Sequence, residues 1–342
     1  MRSDSGPRRY SRLTRIHAAG AAAFVYPLGP LVATGGDVSP AVLLTVSGLG
    51  LLTHTYGCTV NDLADLDSDR RNPTRRRSVL VSGAISVRSA RLAMMVQLAA
   101  AVVLTFLTLI IGEPSWVFAV GTLALLASIT LSNTYQKRRV AHPLIMDALF
   151  GLNMGIPALL CCAVVARWDP VPAALVALAF GLHMVLLNVV AGNLKDLDHD
   201  RAVGDDTTAI RLGVRLTDAR LLIPTPSYLT LLCLLTSASA VSLFALVLAA
   251  PSPSGQRAGA AVVVFALQGT AGYSLWGLGH RQRAVDPKGR ELYLGLNFFS
   301  LMVACFLWAP AAVTVVAIVT AAWVPLTRNL VTLPRQEQEQ IV

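Results

Sequence analysis

Two short stretches concentrate the acidic chemistry of this chain. The first, N-D-L-A-D-L-D-S-D, runs from Asn61 to Asp69, and the second, G-N-L-K-D-L-D-H-D, from Gly192 to Asp200. Nine of the 19 acidic residues lie within 61–69 and 196–206, a concentration that scattered surface charge would not give. If a helix continues through the first stretch, Asn61, Asp62, Asp65 and Asp69 share one face, and Asp67 points elsewhere. In the second, Asn193, Asp196 and Asp200 share a face and Asp198 falls off it. Carboxylates crowded in this way repel each other and, beside a membrane, would protonate unless something positive sat among them. Hard oxygen donors suit Mg²⁺, which keeps several waters and bridges one or two carboxylates to phosphate oxygens. Neither stretch has a thiolate or the grouped histidines that zinc or copper favour, the second carrying only His199. The bland alternative is solvated loop charge, and the repeated D-x-x-x-D spacing argues against it.

A charge count narrows the ligand. Asp62, Asp65, Asp69, Asp196 and Asp200 bring five negative charges, and a diphosphate would add about three more. Two Mg²⁺ supply only four positive charges, so basic side chains must provide the rest. Arg70, Arg71, Arg75, Arg76 and Arg77 follow the first stretch, Lys195 and Arg201 lie in and after the second, and Lys137, Arg138 and Arg139 form a third group. A basic rim around an acidic, metal-holding floor is what a diphosphate requires. For Arg75 to Arg77 a role in membrane topology alone is an equal alternative.

The elements that must carry these residues are membrane helices. Of the 342 residues, 54% are hydrophobic and 14% charged, and the mean hydropathy is +0.61, far more apolar than a soluble domain of this size. Apolar runs of the length needed to cross a bilayer recur at 16–34, 40–60, 91–112, 114–134, 143–166, 170–192, 226–250, 258–279 and 291–326. The last is too long for one ordinary span and carries Pro310, so it predicts a broken helix or two short ones, nine or ten spans in all. Residues 1–15 read as a cytoplasmic segment, 16–327 as the membrane domain and 328–342 as a tail. The first apolar run follows a basic N-terminus but reads as a retained helix and not a cleaved signal, because further spans simply continue. Both acidic stretches fall at the ends of spans.

Lysine and arginine set the orientation. The net charge is +9, and 24 of the 28 basic residues fall in the N-terminus and the even-numbered loops. Under the positive-inside rule these face the cytoplasm, which places the two acidic stretches on the cytoplasmic face of a multi-pass protein of the cell membrane. With no basic helix and no interleaved aromatic residues, nucleic acid is not the expected partner. The five cysteines, Cys58, Cys161, Cys162, Cys233 and Cys305, lie in apolar spans and read as small buried hydrophobes.

These residues resemble the UbiA superfamily of intramembrane prenyltransferases. The resemblance rests on N-D-x-x-D-x-x-x-D at Asn61 to Asp69 with N-P-T-R-R-R-S-V-L-V-S-G at Asn72 to Gly83, and on K-D-x-x-x-D-R-A-x-G at Lys195 to Gly204 with T-T-A-I-R-L-G at Thr207 to Gly213. It covers nearly the whole chain. It implies an all-α bundle of about nine transmembrane helices around a central cavity, with a cytoplasmic cap formed by the loops after the second and sixth spans. It also implies two Mg²⁺ ions bridging the diphosphate of an isoprenoid. Carried over residue by residue, metal binding falls to Asn61, Asp65, Asp69, Asp196 and Asp200, with Asp62 as a direct or supporting partner. Diphosphate contacts fall to Arg70, Tyr135, Lys137, Arg138 and Lys195.

The chain departs from the family pattern in three places. Asn193 stands where the second motif usually begins with Asp, so it could ligate or only orient. Tyr135 is followed by Gln136, Lys137, Arg138 and Arg139, which obscures which cation replaces the usual lysine. Near the first span the arginine usually followed by Pro is Arg15, followed by Ile16 and His17.

The implied reaction is departure of diphosphate from an allylic carbon inside a dry helical cavity. Transfer of the prenyl group to an aromatic or quinone-type acceptor is the leading expectation. A terpene cyclase acting on farnesyl or geranylgeranyl diphosphate without an acceptor is the second, and a cation transporter the third. The third fits poorly, because transport sites place charge near mid-membrane. Among polar residues inside the spans, Asp147 is the candidate for the site, while Asn153, His183 and Asn188 read first as packing groups. His17 and His54 read as structural, and Tyr26, Trp276 and Phe298 as packing or interface aromatics that could also face a cation.

Overall fold

The structure is a computed structural model that describes residues 6–72, 75–135, 142–217, 222–280 and 287–331. It is almost entirely helical. A short helix α1 (Gly6–Leu13) precedes a 3₁₀ turn (Ile16–Ala18) and the long helix α2 (Ala19–Ala33). Next come α3 (Pro40–Ala64), the single turn α4 (Leu66–Asp69), α5 (Val87–Ile111), α6 (Trp116–Tyr135), α7 (Pro143–Leu160) and α8 (Pro170–Leu186). Three short helices follow, α9 (Asn193–Lys195), α10 (Leu197–Val203) and α11 (Thr208–Arg211), with a two-residue antiparallel ribbon, β1 (Arg215–Leu216) on β2 (Leu222–Ile223). The chain then runs through α12 (Pro226–Ala249), α13 (Ser254–His280), α14 (Pro287–Phe306) and α15 (Pro310–Val331).

Seven helices among the described residues are long and apolar enough to cross a membrane, and Gly295–Phe306 and Pro310–Trp323 are shorter apolar stretches. Prolines open many of these helices, at the first helical position of α3, α7, α8 and α12, where the missing N–H costs nothing. The stretch 291–326 is two helices: α14 ends at Phe306 and α15 begins at Pro310. Pro310 cannot continue the preceding hydrogen-bond ladder.

Large apolar side chains point outward, among them Leu92, Val103 and Ile110 of α5 and Val262 and Phe265 of α13. An exposed apolar surface of this extent marks contact with hydrocarbon and not with water. The helices are held together by close approach. A methyl group on Gly29 of α2 would lie 1.7 Å from the Ala158 carbonyl oxygen, and one on Gly155 of α7 would lie 2.2 Å from that of Ala177 on α8. Small residues of this kind let membrane helices pack backbone to backbone where the hydrophobic effect gives little.

On the side carrying the acidic stretches, the loop after α4 folds into a small apolar cap. Leu13 of α1 packs there with Leu66, Val79, Leu80, Ile85 and Ala90. Arg9 and Arg12 donate to the carbonyls of Ala84 and Arg77, which ties α1 onto the same cap. A cleft of about 700 Å³ between α13, α14 and α15, lined by Ala260, Met302, Phe306 and Val313 among others, lies at the opposite helix ends and is not where the acidic residues meet.

Candidate active site

The first acidic stretch lies where α3 turns into α4. The helix bends at Asp65 (φ −86°, ψ −2°), and two backbone bonds tie the bend on either side: the Asp65 N–H donates to the Asn61 carbonyl at 2.9 Å, and the Asp69 N–H to that of Asp65 at 2.8 Å. Asn61, Asp65 and Asp69 therefore keep their helical spacing. The Asn61 side-chain amide donates to Asp65 Oδ2 at 3.3 Å. Asp67 is exposed and pairs with Arg70 at 3.2 Å, so this arginine engages the off-face carboxylate.

The second stretch is less regular. After Leu186 the helix widens into a π-helical segment over Leu187–Gly192, then resumes as α9 and breaks again at Asp196 (φ −105°, ψ 14°) before α10. Such widened turns expose backbone groups and recur at functional sites. Here the Tyr228 hydroxyl, from α12, donates to the Val189 carbonyl at 3.0 Å. Asp200 is buried and Asp198 exposed. Asn193 is buried too, and its side-chain amide points to Asp147 Oδ2 at 3.4 Å. It therefore diverges from Asp196, although an unbroken helix would have placed both on one face.

Arg75 joins the two stretches. Its Nε lies 3.7 Å from Asp69 Oδ1 and its Nη2 lies 3.3 Å from Asp196 Oδ2. One guanidinium thus spans the gap between the motifs, so carboxylates 127 positions apart in the chain face a shared space. Ser68 and His199 meet across the same gap at 3.5 Å. A second arginine holds the floor. Arg15 Nη2 contacts Asp62 Oδ1 at 2.5 Å, from a left-handed backbone conformation (φ 48°, ψ 43°) that non-glycine residues rarely adopt. Burial opposes the charge on Arg15, but Asp62 and, more weakly, Asp65 outweigh it and raise the guanidinium above its ordinary pKa.

The donors around this space are mainly carboxylate and amide oxygens, the set that suits Mg²⁺, with the Ser68 hydroxyl and the His199 imidazole beside them. Among the described residues no three Asp, Glu, His or Cys side chains converge closely enough to enclose a cation unaided. A cation there would draw further oxygens from water or phosphate, as Mg²⁺ ordinarily does. Of the residues expected to contact diphosphate, Tyr135 closes α6 and is partly exposed. Lys137 and Arg138 lie outside the described residues, as does the side chain of Lys195. Asp147 is 3% exposed, and both its oxygens face helix donors: Asn188 at 2.7 Å on Oδ1, and Asn193 and Thr208 on Oδ2.

Residues 22–294 match the model of the UbiA prenyltransferase family. The chain belongs to that family. A 4-hydroxybenzoate octaprenyltransferase of Albidiferax ferrireducens is 35% identical over 176 residues, 50% of this chain and 54% of its own length. The chain thus spans about half the length of the curated relatives it matches. A solved digeranylgeranylglyceryl phosphate synthase superposes with a TM-score of 0.61 at 15% identity, over 87% of this chain and 96% of its own. A UbiA homologue of Archaeoglobus fulgidus, solved with geranyl diphosphate (GPP) and Mg²⁺, superposes with a TM-score of 0.60 at 16% identity, over 95% of this chain and all of its own. As a UbiA-family helical bundle, the chain is an integral membrane protein.

Two contacts were not foreseen from the sequence. Arg75 was one of three equivalent arginines there, and only the fold singles it out. The Arg15–Asp62 pair joins residues 47 positions apart, and its sequence signal is the place of Arg15 just before the first apolar run, where the family pattern has an arginine.

Proposed function

We propose that this UbiA-family chain is a Mg²⁺-dependent intramembrane prenyltransferase that removes diphosphate from an allylic isoprenyl diphosphate and transfers the prenyl group to an aromatic or quinone-type acceptor. The observation that carries this reading is Arg75 lying between Asp69 and Asp196, which marks one anionic space shared by both motifs. The Mg²⁺ and GPP of the Archaeoglobus homologue and the aromatic acceptor named in the octaprenyltransferases support it.

Asn61, Asp65, Asp69, Asp196 and Asp200 would hold two Mg²⁺ ions, which when bound stabilise the charge of departing diphosphate. Asp62, fixed by Arg15, contributes negative charge behind them. Arg75 provides a cation that diphosphate oxygens can take up in a forked contact. The prenyl tail would lie among apolar helix faces, where water is excluded and the allylic carbon is shielded from hydrolysis. In the transfer the C–O bond breaks with its electron pair leaving on diphosphate. A ring carbon of the acceptor supplies the pair for the new C–C bond, and the ring then loses its proton. The basic loops support a cytoplasmic face for this chemistry.

The test is product analysis. Purified protein is incubated with Mg²⁺ and geranyl, farnesyl or geranylgeranyl diphosphate, with and without 4-hydroxybenzoate and related aromatic acceptors. A prenylated aromatic and free diphosphate are expected only when the acceptor is present. A cyclic hydrocarbon or alcohol formed from diphosphate alone would replace this reading with that of a cyclase. Mg²⁺ flux in liposomes without any diphosphate turnover would replace it with that of a transporter.

A further inference from the structure

Asp147 stands on α7, four residues before Gly151 and eight before Gly155, so the three share a helical face. That face lets α8 come close, since a methyl on Gly151 would lie 2.6 Å from the Gly181 carbonyl oxygen. At the end of this seam the carboxylate meets three donors from three different segments. Asn188 of the π-helical turn donates to Oδ1 at 2.7 Å. Asn193, the first residue of α9, and Thr208, the first of α11, donate to Oδ2 at 3.4 and 2.5 Å.

The segment from Asn193 to Thr208 contains the whole second acidic motif, and it begins and ends on this one carboxylate. Within it the backbone is tied tightly: the Asp200 N–H donates to the Asp196 carbonyl, and the Asp205 N–H to that of Asp200, each at 2.8 Å. An apolar side chain could fill the space at 147 without the cost of desolvating a carboxylate. What the carboxylate adds is direction, because each oxygen fixes where a donor must sit.

We propose that Asp147 is a positioning residue: its carboxylate clamps both ends of the Asn193–Thr208 segment to α7 and so fixes where Asp196 and Asp200 stand, without itself touching diphosphate. Asn193 then serves as a tether of this clamp. The functional part of the inference, that the clamp sets metal and diphosphate binding, rests on the reading under Proposed function; the clamp itself does not.

The test uses the full-length protein in lipid nanodiscs with Asp147→Leu and, because that variant could fail to fold, the shape-conserving Thr208→Val. Amide hydrogen exchange across 193–208 should accelerate on the order of tenfold in either variant, while 61–69 stays unchanged. The Mg²⁺ concentration at which inorganic pyrophosphate raises the Tm should rise in parallel. Unchanged exchange across 193–208 in a folded variant, or an increase shared equally by 61–69, would overturn the clamp. An unchanged Mg²⁺ midpoint despite faster exchange would overturn its link to binding. If the unaltered protein shows no stabilisation by Mg²⁺ with pyrophosphate, the transferase reading fails, and the exchange data alone decide the clamp.

Discussion

Each side chain of the candidate site is distinguished from its neighbours by where its partner lies. Asp65 and Asp69 keep the helical face shared with Asn61, while Asp67 turns outward to Arg70. Asp65→Ala or Asp196→Ala should therefore abolish the proposed prenyl transfer. Asp67→Ala and Asp198→Ala, both at exposed positions, should stay within about twofold of the parent, the range of ordinary surface substitutions. Steady-state rates of the four purified variants check this, and equal loss in all four would remove the one-face arrangement. The two arginines divide in the same way. Arg75→Ala leaves Asp69 and Asp196 facing each other without their shared cation, and the KM for diphosphate substrate should rise on the order of tenfold or more, as loss of a charge-assisted contact does. Arg70→Ala should barely change it. The helical phase of the carboxylates could be read from sequence because it depends only on local spacing. The choice of Arg75 over Arg76 and Arg77 could not, since it depends on how a loop folds back between two helices.

At the scale of elements, hydropathy alone places most of the spans. Ile16–Ala33, Pro40–Ala64, Trp116–Tyr135 and Pro226–Ala249 follow the apolar runs within a few residues, because a bilayer imposes length and composition directly. The ends are less readable. Helix α5 starts at Val87, four residues ahead of its apolar run, under a Ser86 cap that accepts from the Ser89 N–H. Such a cap is a polar local signal that hydropathy ignores. The widened turn at Leu187–Gly192 has no sequence signature either. It is held by groups from elsewhere, Tyr228 and Asp147, and Asn193 turns to Asp147 while Asp196 turns to Arg75. Gly155 gives the seam between α7 and α8 its spacing. Gly155→Val would drive a side chain into the Ala177 carbonyl, and should cost about 1–3 kcal/mol, as overpacking does. A lowered Tm in nanodiscs, with the Gly6→Ala control unchanged, checks it; an unaltered Tm would mean the helices are not in such close contact.

The whole molecule has a polarity that no single helix shows. Cap, acidic motifs and arginines collect at one end of the bundle, and the cleft between α13, α14 and α15 lies at the other. By the positive-inside rule, the distribution of lysine and arginine in the sequence predicts that the first end faces the cytoplasm. In the proposed reaction the leaving diphosphate and any soluble acceptor would enter and leave on that side. The assignment can be tested without reference to catalysis. Ser82→Cys introduces a thiol at an exposed position on the cap, and Arg167→Cys places one in the turn between α7 and α8, at the opposite end. The native Cys161, Cys162 and Cys305 are buried, Cys58 is half-buried within α3, and the exposed Cys233 sits within the apolar α12. All five are poor targets for a water-borne maleimide, and the unaltered protein gives the background. In intact cells a membrane-impermeant maleimide should label Arg167→Cys and spare Ser82→Cys, and permeabilisation should expose the latter. The reverse pattern would put the acidic motifs outside the cell and overturn the assignment from charge.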